Sequence, residues 1–278
     1  MAETPERMIE NAVRNVAARA TLPFQAARAD RSFGTAFWYN DLVESAGDRE
    51  VVRQYLVTAD RRTRYEIGQF TLRDGLAEPE LPADELVMPA FVKKWTRLGT
   101  SGVAVMPTTD LHIHAERGNW RWTTDEITSG LAAQPDDIAL LGPAPLPAYL
   151  LGHEVVQEPG SKAVDRPQLL VQGAVTRDTP DDPARWTGRV PLGFEGAPVF
   201  AALPMPDGEQ VKLVCLGLVL PTAPAELANP ADPAPTDGAA DSPEAAAPEG
   251  GTVITFDRLR GAIHAVTPSR KRHWWQRG

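Results

Sequence analysis

The sequence predicts an all-β domain, a sandwich or a barrel, with one helix near each end. Short runs of branched and aromatic residues recur along the chain with Gly, Pro or Asp between them, which is typical of strands joined by turns. Many short strands with polar turns favour this class over a parallel sheet with intervening helices. The chain has 278 residues, 42% of them hydrophobic, which is enough for a large core. The predicted strands are Gly34–Tyr39, Val51–Thr58, Tyr65–Leu72, Val103–Met106, Ile138–Leu141, Leu169–Val175, Pro198–Leu203 and Val211–Leu220.

The N-terminal helix is predicted over residues 4–20, within an N-terminal helix and lead-in of residues 1–31. Thr4 can cap the helix and Pro5 suits its first position. Ile9, Val13 and Val16 fall on one face, so we expect the helix to pack across the domain.

The second helix lies at the other end of the chain. Residues 32–221 form the main β-domain, and residues 252–267 complete it with a short strand and a helix from Asp257 to Val266. Leu259, Ile263 and Val266 share one face of that helix.

Between these parts, residues 222–251 have a different composition. They contain ten alanines, six prolines and six acids, but no base and no aromatic residue. Such a segment cannot offset its ordering entropy by burial. We therefore predict a disordered acidic insert that interrupts the domain.

Residues 268–278 form a basic tail that carries Arg270, Lys271, Arg272 and Arg277 beside Trp274 and Trp275. Such a tail could enter a membrane interface, stack on single-stranded nucleic acid, anchor in a partner protein or fold back on its own domain. Its charges are too few for firm membrane or nucleic-acid binding alone. We favour recognition of a protein partner, because Trp and Arg are frequent in binding hot spots.

Several classes of protein are excluded by composition. A single cysteine, Cys215, rules out an intramolecular disulfide and indicates a reducing compartment. The longest apolar stretch, 211–220, is half a membrane span, and the acidic N-terminus lacks a signal core. The formal net charge of the chain is −9, to which the acidic insert contributes −6 and the basic tail +4. The remaining residues therefore carry −7, so no broad phosphate-binding face is expected. We expect a soluble, cytoplasmic protein without a cofactor.

Four short motifs, in the right order, resemble those of bacterial trypsin-like serine peptidases. The resemblance spans about residues 32–266 and is strongest at the segment similar to the nucleophile loop. It implies two packed antiparallel six-stranded β-barrels with a cleft between them. The motifs are the opening hairpin (34–38 with 55–59), the strand that the family begins with its aspartate (103–107), the nucleophile loop (192–200) and the following strand (216–219).

The three catalytic positions of that family hold other residues in this chain. Arg61, or Arg62 if the register slips by one, stands at the histidine position, and arginine stays protonated and cannot be a general base. Gly102 stands at the aspartate position and has no carboxylate, and Glu195 stands at the serine position. The resemblance therefore implies a degenerate member that lacks the catalytic triad.

A shift of the alignment by a few residues does not supply the missing serine or histidine. No serine lies between Ser161 and Ser242, and no histidine precedes His112. The turn itself is retained, and the resemblance implies that Gly193, Phe194 and Glu195 form an oxyanion-hole-like turn. We expect Glu195 to lie near its amides or to pair with Arg61 or Arg62. The alternative is a solvated glutamate on an exposed loop.

Two other pairs of residues could be functional, but we prefer a purely structural interpretation of each. His112 and His114 would face the same side of a strand, a spacing that suits metal ligands, but a solvated face is the simpler interpretation and no metal site is predicted. Trp120 and Trp122 would share one strand face, where core packing is favoured over an exposed aromatic pair.

Together these observations predict a catalytically inactive trypsin-like domain that acts as a protein-binding, scaffolding or regulatory module. The candidate partner-binding residues are Arg62, Trp274 and Trp275. An active hydrolase with an atypical site around Glu195 is the alternative from another class. A third interpretation is a regulatory subunit that docks through its tail.

Overall fold

The fold consists of a seven-stranded sheet in the N-terminal half and a closed barrel in the C-terminal half. The computed structural model describes residues 4–27, 32–46, 49–83, 86–157, 164–205, 210–222 and 249–266. The tail with Trp274 and Trp275, and residues 223–248 of the predicted insert, lie outside the described residues.

The helices and strands have the following bounds. The strands are β1 (Thr21–Ala26), β2 (Gly34–Ala46), β3 (Arg49–Ala59), β4 (Ile67–Phe70), β5 (Ala77–Glu78), β6 (Leu86–Pro89), β7 (Thr96–Arg97), β8 (Val103–Pro107), β9 (Arg121–Trp122), β10 (Leu146–His153), β11 (Val156–Gln157), β12 (Val164–Asp165), β13 (Gln168–Thr176), β14 (Ala184–Arg189), β15 (Pro198–Pro204), β16 (Val211–Pro221) and β17 (Glu249–Thr255). The helices are α1 (Pro5–Ala17), α2 (Phe91–Lys94), α3 (Thr109–Arg117), α4 (Pro135–Ala139) and α5 (Phe256–Val266).

The all-β prediction is confirmed. The C-terminal barrel closes with six strands in the order β10-β13-β14-β17-β16-β15, and each of its neighbouring strands is antiparallel. The N-terminal sheet has the order β6-β4-β1-β2-β3-β8-β7 and is a curled half-barrel. Its hydrogen bonding does not close, because the short strands β6 and β7 are its two edges.

Each unit has its own core, and a third core joins them. The first cluster lies within the N-terminal sheet around Trp38 and Phe70, and the second fills the barrel around Trp186 and Phe194. The joining cluster takes residues from both units and from the two long helices. Its largest fully buried side chains are Phe37, Tyr39, Phe200 and Phe256.

Both predicted terminal helices are present and pack on the joining core. In α1 the Thr4 hydroxyl accepts a hydrogen bond from the Arg7 N–H (3.4 Å), and Val13 is fully buried. Val16 is exposed, contrary to the predicted face, and the buried positions are Val13 and Ala17, which are four residues apart. In α5, which begins one residue earlier than predicted, Ile263 is buried and Val266 is exposed.

One predicted strand, Ile138–Leu141, is wrong. Its first residues belong to helix α4, which begins at Pro135. The Asp137 carboxylate accepts a hydrogen bond from the Gln134 backbone N–H (2.8 Å), a reciprocal cap that stabilises the first turn. A proline at the first helical position followed by two acids outweighs the β-propensity of the apolar run.

The insert predicted over 222–251 connects two neighbouring strands of the barrel. Strand β16 continues to Pro221 and its antiparallel neighbour β17 already begins at Glu249. The Thr222 N–H donates to the Gly250 carbonyl (3.4 Å), so the two ends of the segment lie side by side. In the described part of the chain, no helix has the length and apolarity needed to cross a membrane.

Candidate functional site

A tight turn over residues 192–197 leads into strand β15 at the junction between the two units. The Phe194 N–H donates to the Pro191 carbonyl (3.0 Å), and the Ala197 N–H donates to the Phe194 carbonyl (2.8 Å). Gly193 and Gly196 have φ values of +93° and +88°, which glycine adopts without the steric cost that other residues bear. The Phe194 side chain is fully buried in the barrel core and anchors the turn.

The N-terminal sheet holds this turn through Thr35 of β2. The Thr35 N–H donates to the Glu195 carbonyl (3.0 Å), and the Thr35 hydroxyl donates to the Gly193 carbonyl (2.7 Å). The Thr58 hydroxyl of β3 in turn donates to the Thr35 carbonyl (2.7 Å). The turn is therefore fixed by both units at once, and its geometry depends on their junction.

The Glu195 carboxylate is buried and forms ion pairs with two arginines. Arg61 Nε contacts Glu195 Oε1, and Arg62 Nε donates to Glu195 Oε2 over 2.7 Å. Both arginines lie on the 3₁₀ turn Asp60–Thr63, which directly follows β3. The expected pairing is present and involves both arginines, so the alternative of a solvated glutamate is wrong.

Gly102, which the sequence resemblance places at the aspartate position, lies beside the same 3₁₀ turn. Its carbonyl accepts a hydrogen bond from the Asp60 N–H (2.8 Å). A Cβ at this position would lie 2.9 Å from Leu220 Cδ1, on a residue whose φ is +75°. A larger side chain here would meet both a contact and backbone strain.

Asp60 is a second buried carboxylate with two arginine partners. Arg64 reaches its Oδ2 at 2.5 Å and Arg97 Nε reaches its Oδ1 at 2.9 Å. Arg61 and Arg62 of the 3₁₀ turn thus hold Glu195, and Gly102 lies next to Asp60 of the same turn.

Gly193, Phe194 and Glu195, which are predicted to form an oxyanion-hole-like turn, lie on the tight turn over residues 192–197. Among the described residues, the backbone N–H groups of Gly193 and Glu195 form no hydrogen bond. Two such donors on one tight turn can bind a negatively charged oxygen.

The sequence analysis missed a buried pair behind the turn, Arg166 and His153. The Arg166 guanidinium donates to the carbonyls of Phe24 (3.3 Å) and Gly34 (3.0 Å), and it lies over the Phe33 ring. Burial lowers its pKa to about 9. A Cβ on Gly193 would approach an Arg166 terminal nitrogen to 3.2 Å, so this side chain supports the turn from behind.

His153 is fully buried and both its ring nitrogens have partners. Nδ1 lies 3.2 Å from the Arg166 carbonyl, which can only accept, and Nε2 lies 3.0 Å from the Thr21 hydroxyl. Gln168 donates to that same hydroxyl (2.6 Å), so Thr21 donates to His153. Burial, with the charges of Arg73 and Arg166, lowers the pKa of His153 well below its usual value, which keeps the ring neutral.

This histidine makes stability depend on pH. The unfolded chain binds a proton at His153 near pH 6.5 whereas the folded chain does not, so stability falls as pH drops below 6.5. We expect a slope of about 1.4 kcal/mol per pH unit between pH 6.5 and 5, measured by urea unfolding. The variant His153→Gln should lose this slope and the exposed control His114→Gln should keep it. Equal slopes in wild type and His153→Gln would refute the assignment.

The expected strand for His112 and His114 is wrong. Both lie on helix α3, where residues two positions apart point to different sides of the helix. His112 Nε2 contacts the Gln54 amide oxygen (2.8 Å), and the His114 ring lies against Trp120. Across the residues that the structure describes, no group of three or more His, Cys, Asp or Glu side chains could hold a metal ion.

The remaining sequence candidates pack into cores. Trp120 is buried and its ring lies edge-on to Trp122, with centroids 4.9 Å apart, as the core interpretation predicts. The Cys215 thiol is buried, and burial raises its pKa, so it is not poised as a nucleophile.

The comparisons with known proteins find similar chains among the solved structures. No family model and no curated protein matches this chain. A serine protease of a human pathogenic astrovirus is similar over 88% of this chain and 94% of its own, with 11% identity and a TM-score of 0.41. The HtrA-type protease AlgW with a tripeptide is similar over 93% of this chain and 63% of its own, with 14% identity and a TM-score of 0.43.

Proposed function

We propose that the chain is a catalytically inactive trypsin-like domain that binds a protein partner and acts as a scaffold or regulatory module. The observation that carries this proposal is the buried Glu195 carboxylate held by Arg61 and Arg62. The places that a nucleophile and a base would need are taken by a structural ion pair.

The chemistry of acyl transfer supports the same conclusion. A nucleophile there needs a group that accepts a proton at neutral pH, and a guanidinium stays protonated. Both ring nitrogens of His153 are used in the core, and the other described histidines contact Gln54, Trp120 and Asp41. None of these contacts reaches Glu195.

The proposal includes a cytoplasmic setting and a protein partner. A rigid turn with two unused amide donors and charged neighbours is suited to holding a peptide without cutting it. Arg62, Trp274 and Trp275 remain the candidate partner-binding residues, and the tail is a second contact in this proposal.

We expect the purified protein to show no labelling by a fluorophosphonate probe and no turnover of peptide or ester substrates, with trypsin as positive control. Glu195→Ser alone should not restore activity, because Arg61 and Gly102 still supply neither base nor carboxylate. Turnover by the wild type that Glu195→Gln abolishes would instead establish an active hydrolase built around Glu195.

A further inference from the structure

We propose that a cavity beside strand β3 binds the C-terminal carboxylate of an extended peptide segment of the protein partner. The inference rests on the proposed function and names the chemistry by which the partner is recognised. This β3 cavity has a volume of about 690 Å³, which is typical of ligand sites. Its walls include Asn40 of β2, Val52, Arg53 and Gln54 of β3, and Thr108, which precedes α3.

The β3 cavity contains a positive charge that no contacting carboxylate neutralises. Arg53 is half-buried, and it forms no hydrogen bond or ion pair within the described ranges of the chain. None of the described residues that line the cavity is acidic. Asp41, opposite Arg53 on β2, is 2% exposed and already contacts Tyr39 and His264, each at 3.1 Å. The cavity therefore favours an anion, and a guanidinium binds a carboxylate through two parallel hydrogen bonds.

Asn40 is a second polar group on the cavity wall that lacks a partner. Its side chain forms no hydrogen bond with any residue that the structure describes, and its Oδ1 is buried. A buried amide oxygen without a donor is costly, and most such groups in proteins are paired. The carboxamide can both donate and accept, as a peptide group does. A ligand with an amide group close to its carboxylate would match Arg53 and Asn40 together.

The backbone of β3 is unpaired on the cavity side at Val52. The Gln54 carbonyl accepts a hydrogen bond from the Thr108 N–H (3.2 Å), so the backbone groups of Gln54 point to the side of β8. Backbone groups alternate in direction along a strand, so the N–H and C=O of Val52 point to that side too. The ladder of β3 with β8 ends where Tyr55 lies opposite Pro107, and the chain then enters α3. No described strand therefore lies beside Val52.

A free strand edge of this kind selects a peptide over a small carboxylic acid. Such an edge can pair with an added strand through main-chain hydrogen bonds. Val51 and Val52 are 50% and 47% exposed and offer apolar contact to the side chains of that strand. Thr108 closes the edge at Gln54, so the added strand has to end or turn away at the cavity. A chain end in this place supplies the carboxylate that Arg53 lacks.

The test uses the full-length protein and a fluorescein-labelled eight-residue peptide, in which Val and Thr alternate over the last four residues before a free carboxylate. Fluorescence anisotropy should show saturable binding. The matched peptide with a C-terminal amide should bind about tenfold more weakly, because it lacks the charge that Arg53 pairs with. A peptide with N-methyl groups on its valines should also lose about tenfold, because it cannot donate to a strand edge. Both changes leave the side chains of the peptide intact.

Variants locate the carboxylate. Arg53→Gln should weaken binding of the free-carboxylate peptide about tenfold and leave the affinity for the amidated peptide unchanged. Arg7→Gln is the control, because Arg7 is exposed on α1 and its side chain has no partner in the described part of the chain. It should change neither affinity. Near-wild-type melting temperatures show that both variants are folded.

The other outcomes contradict either this inference or the proposed function. No binding, equal binding of the amidated peptide, or equal loss of both peptides with Arg53→Gln would overturn the inference. So would an amidated peptide with an internal Glu that binds as tightly, or N-acetylvaline that binds as tightly as the peptide, since a side-chain or small-molecule carboxylate would then suffice. Cleavage of the peptide would refute the proposed function, whereas absence of both binding and cleavage would refute this inference alone.

Discussion

Glu195→Gln is expected to lower the free energy of unfolding by about 2–3 kcal/mol. The substitution keeps the shape of the side chain but removes the charge that both arginines share. Arg62 is mostly buried and loses one charged partner, while the half-exposed Arg61 can turn toward solvent. The cost is therefore below the 3–5 kcal/mol typical of a fully buried pair. Urea unfolding at pH 7 measures it.

A matched control separates this ion pair from an ordinary surface pair. Glu78 forms an exposed ion pair with Arg121, and Glu78→Gln should cost less than about 0.5 kcal/mol. In the double variant Glu195→Gln/Arg62→Gln, the cost should be smaller than the sum of the two single costs, because both partners of one ion pair are removed together. A loss for Glu195→Gln no larger than that for Glu78→Gln would mean that the pairing does not hold the junction together.

The fold class was accessible from sequence because the strand signals agree with tertiary packing. The run Pro198–Leu203 and the run Val211–Leu220 pair as neighbours, β15 and β16, within the closed barrel. Ile138–Leu141 was misassigned because an apolar run of four residues fits either type of element, and the cap at Gln134 decides it. Such a cap can be predicted only when the residues before the apolar run are analysed together with the run itself.

The sequence predicted one part of the site, the Glu195 ion pairs, but not the buried pair of His153 and Arg166. Glu195 and the two arginines could be placed together because motifs on either side of them set the register. His153 and Arg166 could not, since a buried arginine whose acceptors are backbone carbonyls leaves no charged partner in the sequence pattern. The one available signal was the apolar run that ends at His153, which places that histidine on a buried strand.

Gly196→Ala should be the most damaging small substitution in the site, with a loss of about 3–5 kcal/mol or a failure to fold. A Cβ at Gly196 would lie 2.4 Å from Thr58 Oγ1, 2.6 Å from the Thr35 carbonyl oxygen and 2.8 Å from the Ala59 backbone nitrogen. Two of these atoms are backbone atoms of β2 and β3, so relief requires the N-terminal sheet to move away from the barrel. Soluble yield and thermal unfolding measure the effect.

Gly99→Ala is the matched control, because Gly99 also has a positive φ (+58°) but no atom within 4 Å of a Cβ built on it. This control bears only the backbone strain of about 1–2 kcal/mol. The difference between the stability losses of the two variants measures how tightly Thr35 and Thr58 pack on the turn. It therefore also reports how rigidly the N-terminal sheet holds Glu195. Equal losses would show that the junction yields to a methyl group, and a yielding junction could not keep the Glu195 carboxylate fixed between Arg61 and Arg62.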